Sequence, residues 1–343
     1  HNEGLGATNI TIKNSYIKGI LSNYSVESRG IYIFGTGNNN ITISNNKINL
    51  VHSGIYAQGY ETTESYLTNL NITNNTIGGD ARVKKYGIYT YWVDGANISN
   101  NTIKNILTIY DDAATEPTGI YIDRNSKNLN ILKNSVSNVY REGYTGYQIG
   151  AKGILLYPNI ANANINVINN EIYNIKGYYG GTSSSGIAGI WLSGTSSGFK
   201  IYNNTINLYG STVSGSSQNG NKSSAIYIYN NVSGIDLRNN IFVNTQYFSS
   251  GNSHNTYAIY SDEPRAAFSN IDYNDYFVQT SGNITTAHLG RIGGTNIESL
   301  ADWQAATQSD AHSLSINPEF NSNTNLKPDP LSPVINAGIP LPD

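Results

Sequence analysis

Acidic and basic side chains that could act on a substrate concentrate in one part of the sequence, between positions 111 and 152. The candidate catalytic residues are Asp111, Asp112, Asp123, Arg124, Arg141 and Lys152. A pair of carboxylates could hydrolyse a glycosidic bond if the two groups lie about 5 Å or about 6.5 to 9.5 Å apart. A lyase would instead need a basic side chain, such as Lys, Arg, Tyr or His, and a cation or an arginine that neutralises the sugar carboxylate. Both reactions stay open, and we expect no cofactor or metal site, except Ca2+ in the case of a lyase.

Tyrosine is the second residue type that indicates a function, because the chain contains 27 of them. An aromatic ring with a polar edge suits a sugar ring, which carries C–H groups on one face and hydroxyls around its rim. The candidate carbohydrate-binding residues are Tyr89, Tyr121, Tyr140, Tyr144, Tyr157, Tyr178, Tyr179, Trp191 and Tyr227. The alternative interpretation is that these rings shield neighbouring strands and are covered by the long loops.

The elements that must position these residues form an internal repeat, the feature to seek before any other. A motif of Gly or Ala, Ile and usually an aromatic residue recurs, with its isoleucines 24, 33, 32, 34, 36, 36 and 33 residues apart. These isoleucines are Ile31, Ile55, Ile88, Ile120, Ile154, Ile190, Ile226 and Ile259. A second motif, a short alternating strand followed by Asn-Asn, alternates with the first, as in Ile41 to Ile48. Each unit therefore contributes two or three strands and returns to the same place.

The repeat predicts an all-β parallel β-helix, a solenoid of about nine coils. Each strand alternates apolar and polar residues, so one face can be buried, but a single coil has nothing to bury it against. Stacking coils at about 4.8 Å joins the isoleucines into a continuous core. A helical solenoid would need apolar residues at positions i, i+3, i+4 and i+7, which these units lack.

The Asn-Asn turns have a structural interpretation. One residue of each pair is expected in the left-handed conformation, which Asn tolerates better than most residues. Stacked coils would then align their asparagines in a hydrogen-bonded ladder. Asn-X-Ser/Thr matches such as Asn71 and Asn97 follow from the repeat itself and are weak evidence of glycosylation.

The last segment carries three further motifs. They are Leu300-Ala-Asp302-Trp303, Asp310-Ala-His312-Ser313 and Ser332-Pro333-Val-Ile335. With the coils over roughly residues 5 to 285, this tail resembles secreted bacterial right-handed parallel β-helix proteins of the pectate-lyase-like superfamily, Bacteroidetes-type. The resemblance implies a right-handed solenoid over residues 1–285 and a C-terminal cap and tail over residues 286–343. A short helix from Ser299 to Thr307 would lay Leu300 and Trp303 over the open end of the core.

The catalytic motifs of that superfamily are mostly missing. Polygalacturonase-like enzymes carry Asn-Thr-Asp, Asp-Asp, Gly-His-Gly and Arg-Ile-Lys elements, of which this chain has only Asp111-Asp112. Lyases of this fold carry a Lys-Ser-Ser-type element followed by an arginine motif. Lys222-Ser223-Ser224 resembles the first part, but Arg238 lacks the expected neighbours, so we interpret the match as a coincidence.

Composition excludes several classes of function. The net charge of −3 contains no block of like charge, so nucleic acid is not expected as a partner. The chain has no cysteine, which excludes thiol nucleophiles and Cys-ligated zinc. The sequence contains no run of about 18 apolar residues, so it predicts no direct membrane span.

The leading expectation is a secreted or cell-surface β-helix protein that binds polysaccharide, or another surface, through its tyrosine-rich face and need not be catalytic. One alternative is a polysaccharide lyase or glycoside hydrolase. A second is a structural stalk or extracellular filament subunit. The last follows from residues 1 to 12, which already read as part of a coil, so the first coil is expected to contact another domain or subunit end to end.

Overall fold

The computed structural model of the chain describes residues 6–21, 27–61, 65–109, 116–142, 150–179, 186–214, 221–249, 254–280 and 284–341. Within these ranges β-strands predominate, and the helical segments include an α-helix near the C-terminus and a short 3-10 helix, Arg265–Ala267. No helix of the described ranges is long and apolar enough to cross a membrane.

Three parallel sheets run along the molecule, and each coil contributes one strand to each sheet. Sheet 1 contains β1 (Thr8–Lys13), β4 (Asn39–Ser44), β7 (Leu67–Thr73), β10 (Val93–Ser99), β13 (Lys127–Leu132), β16 (Ile165–Ile168), β20 (Ser196–Tyr202), β23 (Val232–Arg238) and β26 (Phe268–Asp272). Sheet 2 contains β2 (Tyr16–Lys18), β5 (Lys47–Asn49), β8 (Thr76–Ile77), β11 (Thr102–Thr108), β14 (Ser135–Arg141), β17 (Glu171–Lys176), β21 (Thr205–Ser214), β24 (Ile241–Phe248) and β27 (Asp275–Val278), with β18 (Tyr178–Tyr179) paired to β21.

Sheet 3 is the sheet that carries the Gly/Ala-Ile-aromatic motif. Its parallel strands are β3 (Arg29–Phe34), β6 (Ser53–Gln58), β9 (Tyr86–Tyr91), β12 (Thr118–Ile122), β15 (Lys152–Leu156), β19 (Ile187–Leu192), β22 (Asn221–Ile228), β25 (His254–Ser261) and β28 (Thr285–Ile292). The antiparallel strand β29 (Thr295–Ile297) ends this sheet, and a separate hairpin joins β30 (Phe320–Ser322) to β31 (Asn325–Pro328).

The register of sheet 3 superposes the repeat as expected. Ile55 pairs with Ile88, Ile88 with Ile120, and Ile120 with Ile154. All four side chains are fully buried in one continuous core of mostly Ile, Leu and Val. The predicted fold class, an all-β parallel solenoid, is confirmed; the solenoid makes about seven turns, slightly fewer than the nine coils predicted, although sheet 1 contains nine strands.

The Asn-Asn corners contain the predicted ladder. The first residue of each pair has a φ near +55°, in the left-handed region, as in Asn74 (φ 56°) and Asn100 (φ 56°). The second residue points inward and donates its side-chain amide to Oδ1 of the next asparagine at 2.9 or 3.0 Å. The ladder runs through Asn46, Asn75, Asn101, Asn134, Asn170, Asn204, Asn240 and Asn274. Its hydrogen bonds satisfy amides that would otherwise be buried without partners.

The C-terminal segment covers the last coil. Helix α1 (Leu300–Thr307) starts after Ser299, whose hydroxyl accepts the N–H of Asp302, and it buries Trp303 completely. The indole N–H of Trp303 donates to Oδ2 of Asp310 at 2.6 Å, and the Asn274 N–H donates to Oγ of Ser313 at 2.8 Å. Ser313 thus occupies the place of a next ladder asparagine, and the predicted helix over the core end is present.

The opposite end of the solenoid is more open within the described ranges. Ile10, Tyr16 and Ile20 are largely exposed there, with Ile20 at 81% exposure. In sheet 3 the last described strand at this end, β3, contributes the half-exposed rings of Tyr32 and Phe34. Among the described residues, the aromatic rings most exposed to a partner therefore lie near the first coils.

Candidate functional site

The outer face of sheet 3 carries a row of aromatic residues, one from each coil. Register pairs place them in consecutive layers, because each one follows an isoleucine of the repeat. The row consists of Tyr32, Tyr56, Tyr89, Tyr121, Leu155, Trp191, Tyr227 and Tyr260. We call the surface formed by this row and its flanking residues the sheet-3 face.

Most rings in the middle and at the far end of the row are covered by the chain itself. Tyr89 is 7% exposed, Trp191 is 2% exposed and Tyr227 is fully buried. Trp191 and Tyr227 pack in one cluster outside the main core, and Tyr89 packs in another with Tyr91 and Trp92. These three candidate carbohydrate-binding residues therefore have no ring face open to a sugar. Their burial agrees with the alternative interpretation, in which the rings shield the strands.

Cationic side chains cover the same rings. Lys152 lies over Trp191, with Nζ 4.3 Å from the ring centroid, and forms an ion pair with Glu116. Lys222 lies over Tyr227 and Tyr260 at 4.6 Å and 4.2 Å. Burial, opposed by the Glu116 carboxylate, lowers the pKa of Lys152. These cation–π contacts, each typically about 0.5 to 2 kcal/mol, occupy the surface that a bound sugar would need.

Carboxylates hold the polar edges of two of these rings. The hydroxyl of Tyr89 donates to Oδ2 of Asp123 at 2.5 Å, and that of Tyr227 donates to Oδ2 of Asp262 at 2.7 Å. Burial and the neighbouring carboxylate raise the pKa of both phenols far above their ordinary value. Both hydroxyls therefore stay protonated and act as fixed donors to the next coil.

The exposed part of the face lies on the first coils. Tyr32 is 46% exposed and Phe34 48% exposed, and their rings are nearly parallel at 5.8 Å. Tyr56 meets Tyr32 edge-on at 5.6 Å, and Tyr60 meets Phe34 in the same way at 5.6 Å. We call these four residues the exposed aromatic patch.

Arg29 covers one side of two of the four rings of this patch, Tyr32 and Tyr56. The guanidinium of Arg29 lies 4.4 Å from the ring centroid of Tyr32 and 4.4 Å from that of Tyr56. Glu27 forms ion pairs with Arg29 at 3.5 Å and with Lys85 at 2.6 Å. Tyr32 and Tyr56 are thus held in place, which lowers the conformational entropy that a ligand would have to remove.

The remaining candidate carbohydrate-binding residues do not form one surface with the patch. Tyr121 and Tyr157 are half-buried on the sheet-3 side, whereas Tyr140 lies in β14 of sheet 2. Tyr144 lies outside the described residues. Tyr178 and Tyr179 form the short strand β18 beside sheet 2, and their side chains also lie outside the described part.

The candidate catalytic residues are dispersed rather than gathered in one cleft. Lys152 pairs in register with Thr118, at the start of β12, whereas Asp123 follows the end of that strand. Five residues of extended strand separate the two positions by about 16 Å. Arg141, which is buried, ends β14 in sheet 2, and the Asp111-Asp112 pair lies outside the described residues.

Asp123 and Arg124 are also committed to local contacts. Besides the Tyr89 hydroxyl, the Asp123 carboxylate accepts the backbone N–H of Arg124 at 2.7 Å and lies 3.6 Å from Nε of that arginine. Among the described residues, no three His, Asp or Glu side chains form a group that could hold a metal ion. The geometry around Asp123 therefore serves to fix β12 and β9 against each other.

Two features of the sheet-3 face could not be predicted from the sequence: which rings are exposed, and what Lys222 contacts. Strand alternation places Tyr32 and Phe34 on the side opposite to the core residue Ile31, but only the structure shows that the rings of the first coils are open while those farther along are covered. Lys222 was interpreted as a coincidental motif match, yet its side chain is buried against the sheet-3 face and contacts Tyr227. Its position five residues before an aromatic-row residue was the available signal.

Comparison with known proteins gives one result at the level of the fold. A family model described as a right handed beta helix region matches residues 4–206, more than half of the chain. No curated protein and no solved structure matches the chain. The match covers β1 to β20 and part of β21, which includes the exposed aromatic patch.

Proposed function

The chain belongs to the right-handed β-helix family, and from that premise we propose that it binds a polysaccharide through the exposed aromatic patch, without acting on it chemically. The observation that carries this proposal is the pair Tyr32 and Phe34, nearly parallel and each almost half exposed. Two large rings left open to solvent on a rigid scaffold are characteristic of a binding surface.

The geometry of the pair suits a sugar chain. Tyr32 and Phe34 belong to the same strand, two residues apart, so both point outward from sheet 3. Their near-parallel stacked rings, with centroids 5.8 Å apart, form one exposed apolar cluster, and the hydroxyl of Tyr32 supplies a polar group for sugar hydroxyls. A glycan lying across β3 could pack its C–H groups against the exposed parts of both rings.

The next coil extends this surface. Phe34 pairs in register with Gln58, and Tyr32 with Tyr56. Gln58 is partly exposed and offers both a donor and an acceptor beside the rings. An apolar platform flanked by convergent polar groups supports specific binding rather than adhesion to any apolar surface.

The catalytic alternatives lack a comparable observation. Within the described ranges, the candidate carboxylates and basic groups do not converge, because Lys152 and Asp123 lie at opposite ends of sheet-3 strands. We therefore propose a non-catalytic role at an extracellular location, secreted or on the cell surface, where polysaccharides are abundant. The end-to-end contact of the first coil with another domain or subunit stays a prediction.

A glycan screen tests the proposal. The purified protein is run in native gels that contain neutral or acidic polysaccharides, and the same mixtures are assayed for new reducing ends and for ultraviolet-absorbing unsaturated products. Retardation by at least one polysaccharide without any product supports the proposal. No retardation in any gel contradicts binding, and product formation contradicts the non-catalytic role.

A further inference from the structure

We infer that Lys222 is a reactive amine that forms an imine with an aldehyde, at a site on the sheet-3 face separate from the exposed aromatic patch. Lys222 is the second residue of β22, the seventh strand of sheet 3, whereas the patch lies on and beside β3 and β6, the first two strands. The inference does not depend on polysaccharide binding. Each can fail without the other.

The first argument is the surroundings of Nζ. It donates a hydrogen bond to Oη of Tyr227 at 2.9 Å and lies over the rings of Tyr227 and Tyr260. Within the part of the chain that the structure describes, no carboxylate oxygen forms an ion pair with this amine. Lysines that are buried without a direct anionic partner are the ones that lose their charge most readily.

The second argument is the balance of charge around the amine. Burial lowers the pKa of Lys222 to about 8; the Asp262 carboxylate opposes this effect, and the Arg291 guanidinium adds to it. Arg291 belongs to β28 and lies 5.5 Å from the ring centroid of Tyr260. At pH 8 about half of such an amine is uncharged, compared with roughly 0.3% of an ordinary lysine. Only the uncharged form is a nucleophile.

The third argument is a line of hydrogen bonds that can carry the proton. Nζ of Lys222 donates to Tyr227, and the Tyr227 hydroxyl donates to Oδ2 of Asp262 at 2.7 Å. A proton shed by Nζ can pass along this line to the carboxylate and return by the same route. Lys152 lacks this arrangement, because its amine is fully buried in the ion pair with Glu116.

The reaction balances without an oxidant or reductant. Uncharged Nζ attacks the aldehyde carbon, so that a C–N bond forms while the π bond of the carbonyl opens, and the oxygen takes up a proton. Loss of that oxygen as water leaves C=N. One amine and one aldehyde therefore give one imine and one water. The open-chain reducing end of a sugar and a small free aldehyde both supply the required carbon.

Reductive trapping of the 343-residue chain tests the inference. The wild type is incubated at pH 8 with glycolaldehyde or, in a parallel arm, with a reducing disaccharide, each with cyanoborohydride, and the labelled peptides are quantified by mass spectrometry. The expected result is at least about tenfold faster labelling of Lys222 than of Lys47, an exposed lysine paired with Asp80. Labelling in both arms, or with glycolaldehyde alone, supports the site and identifies which source of aldehyde reaches it.

Two variants serve as controls. In Lys222→Arg the corresponding labelled peptide should vanish while the labelling of Lys47 stays unchanged. In Lys176→Arg, which changes a sheet-2 lysine whose pKa burial also lowers, the labelling of Lys222 should persist. Labelling of Lys222 at or below the rate of Lys47 in the wild type overturns the inference. That comparison needs no variant to fold.

Discussion

The side-chain amide of Asn134 donates a hydrogen bond at 3.0 Å to Oδ1 of Asn170, the residue that occupies the same corner one coil later. Asn134 also donates to the carbonyl of Ile98 at 2.8 Å, on the preceding coil. Each ladder asparagine therefore ties three consecutive coils together, and the corner is fixed by side chains as firmly as the strands are fixed by backbone hydrogen bonds.

Replacing one ladder asparagine should destabilise the solenoid strongly. Asn134→Ala leaves the backbone and side-chain N–H groups of Asn101 without their acceptor in a buried corner. We expect the free energy of unfolding to fall by about 3 kcal/mol. Urea titration followed by circular dichroism measures this change. Ser135→Ala, which alters the adjacent outward residue, should change it by less than about 0.5 kcal/mol; equal effects would contradict the ladder's role.

Removing the indole of Trp303 should loosen the last coils only. Trp303 is fully buried and packs against Gly290 and Tyr276, so Trp303→Ala should cost about 3 to 5 kcal/mol. Because each coil contacts mainly its neighbours, the loss should be local. Hydrogen exchange should show faster exchange in β27 and β28 but not in β4 or β7. Leu331→Ala, at a 91% exposed position, is the matched control; uniform loss of protection would oppose this account.

The carboxyl group of Asp275 should make the cap sensitive to pH. Its Oδ1 accepts the N–H of Ile316 at 3.0 Å, and burial raises the pKa of Asp275 to about 7 against the effect of this hydrogen bond. The folded protein therefore retains a proton that the unfolded chain loses near pH 4. The free energy of unfolding should therefore decrease by an amount on the order of 4 kcal/mol as pH rises from about 4 to about 7, and it should level off above that.

Comparison with Asp275→Asn isolates this contribution. The variant keeps a side-chain oxygen for Ile316 but cannot ionise, so the difference in unfolding free energy between the two proteins should change across this pH range. The other ionisable residues of the region, Asp272, Asp310 and His312, are the same in both proteins, so their contributions cancel in this difference. A difference that stays constant from pH 4 to pH 8 would show that Asp275 is not the group responsible.

The regular part of the fold could be predicted from the sequence because register follows from the spacing. Once units of 24 to 36 residues are stacked, Ile88 must lie beside Ile55 and Ile120, and the same rule gives the aromatic row. The Asn-Asn turns predict the ladder for the same reason. At these positions the residue types and the repeat spacing indicate the same structure.

The exposure of the aromatic row could not be predicted in this way. Whether a ring is exposed depends on side chains from other coils. Trp191, for example, is covered by Lys152, and Lys152 is held by an ion pair with Glu116, which lies 36 residues earlier in the chain. Alternation places all these rings outside the core but does not show which cation reaches over them. Sequence reasoning therefore favoured Trp191 and Tyr227 as binding residues and left Tyr32 and Phe34 out of the candidate set.

Trp191 provides a test of this distinction. Trp191→Ala should reduce stability by about 3 to 5 kcal/mol, since the ring is almost fully buried. The affinity of the folded protein for a polysaccharide identified in the gel screen should stay within about twofold of the wild type. Native-gel retardation at a temperature well below the unfolding transition measures it. A large loss of affinity in a folded variant would return Trp191 to the binding surface.

The most direct test of the central claim compares three variants with the wild type by calorimetric titration with an oligosaccharide of the glycan that retards the protein in the gel screen. We expect Tyr32→Ala and Phe34→Ala each to weaken binding at least about tenfold, equivalent to about 1.4 kcal/mol. Tyr16→Ala, which removes a 58% exposed ring from sheet 2, serves as the control and should leave the affinity unchanged. If both patch variants bind as tightly as the wild type, or if the Tyr16 change weakens binding equally, the exposed aromatic patch is not the binding site.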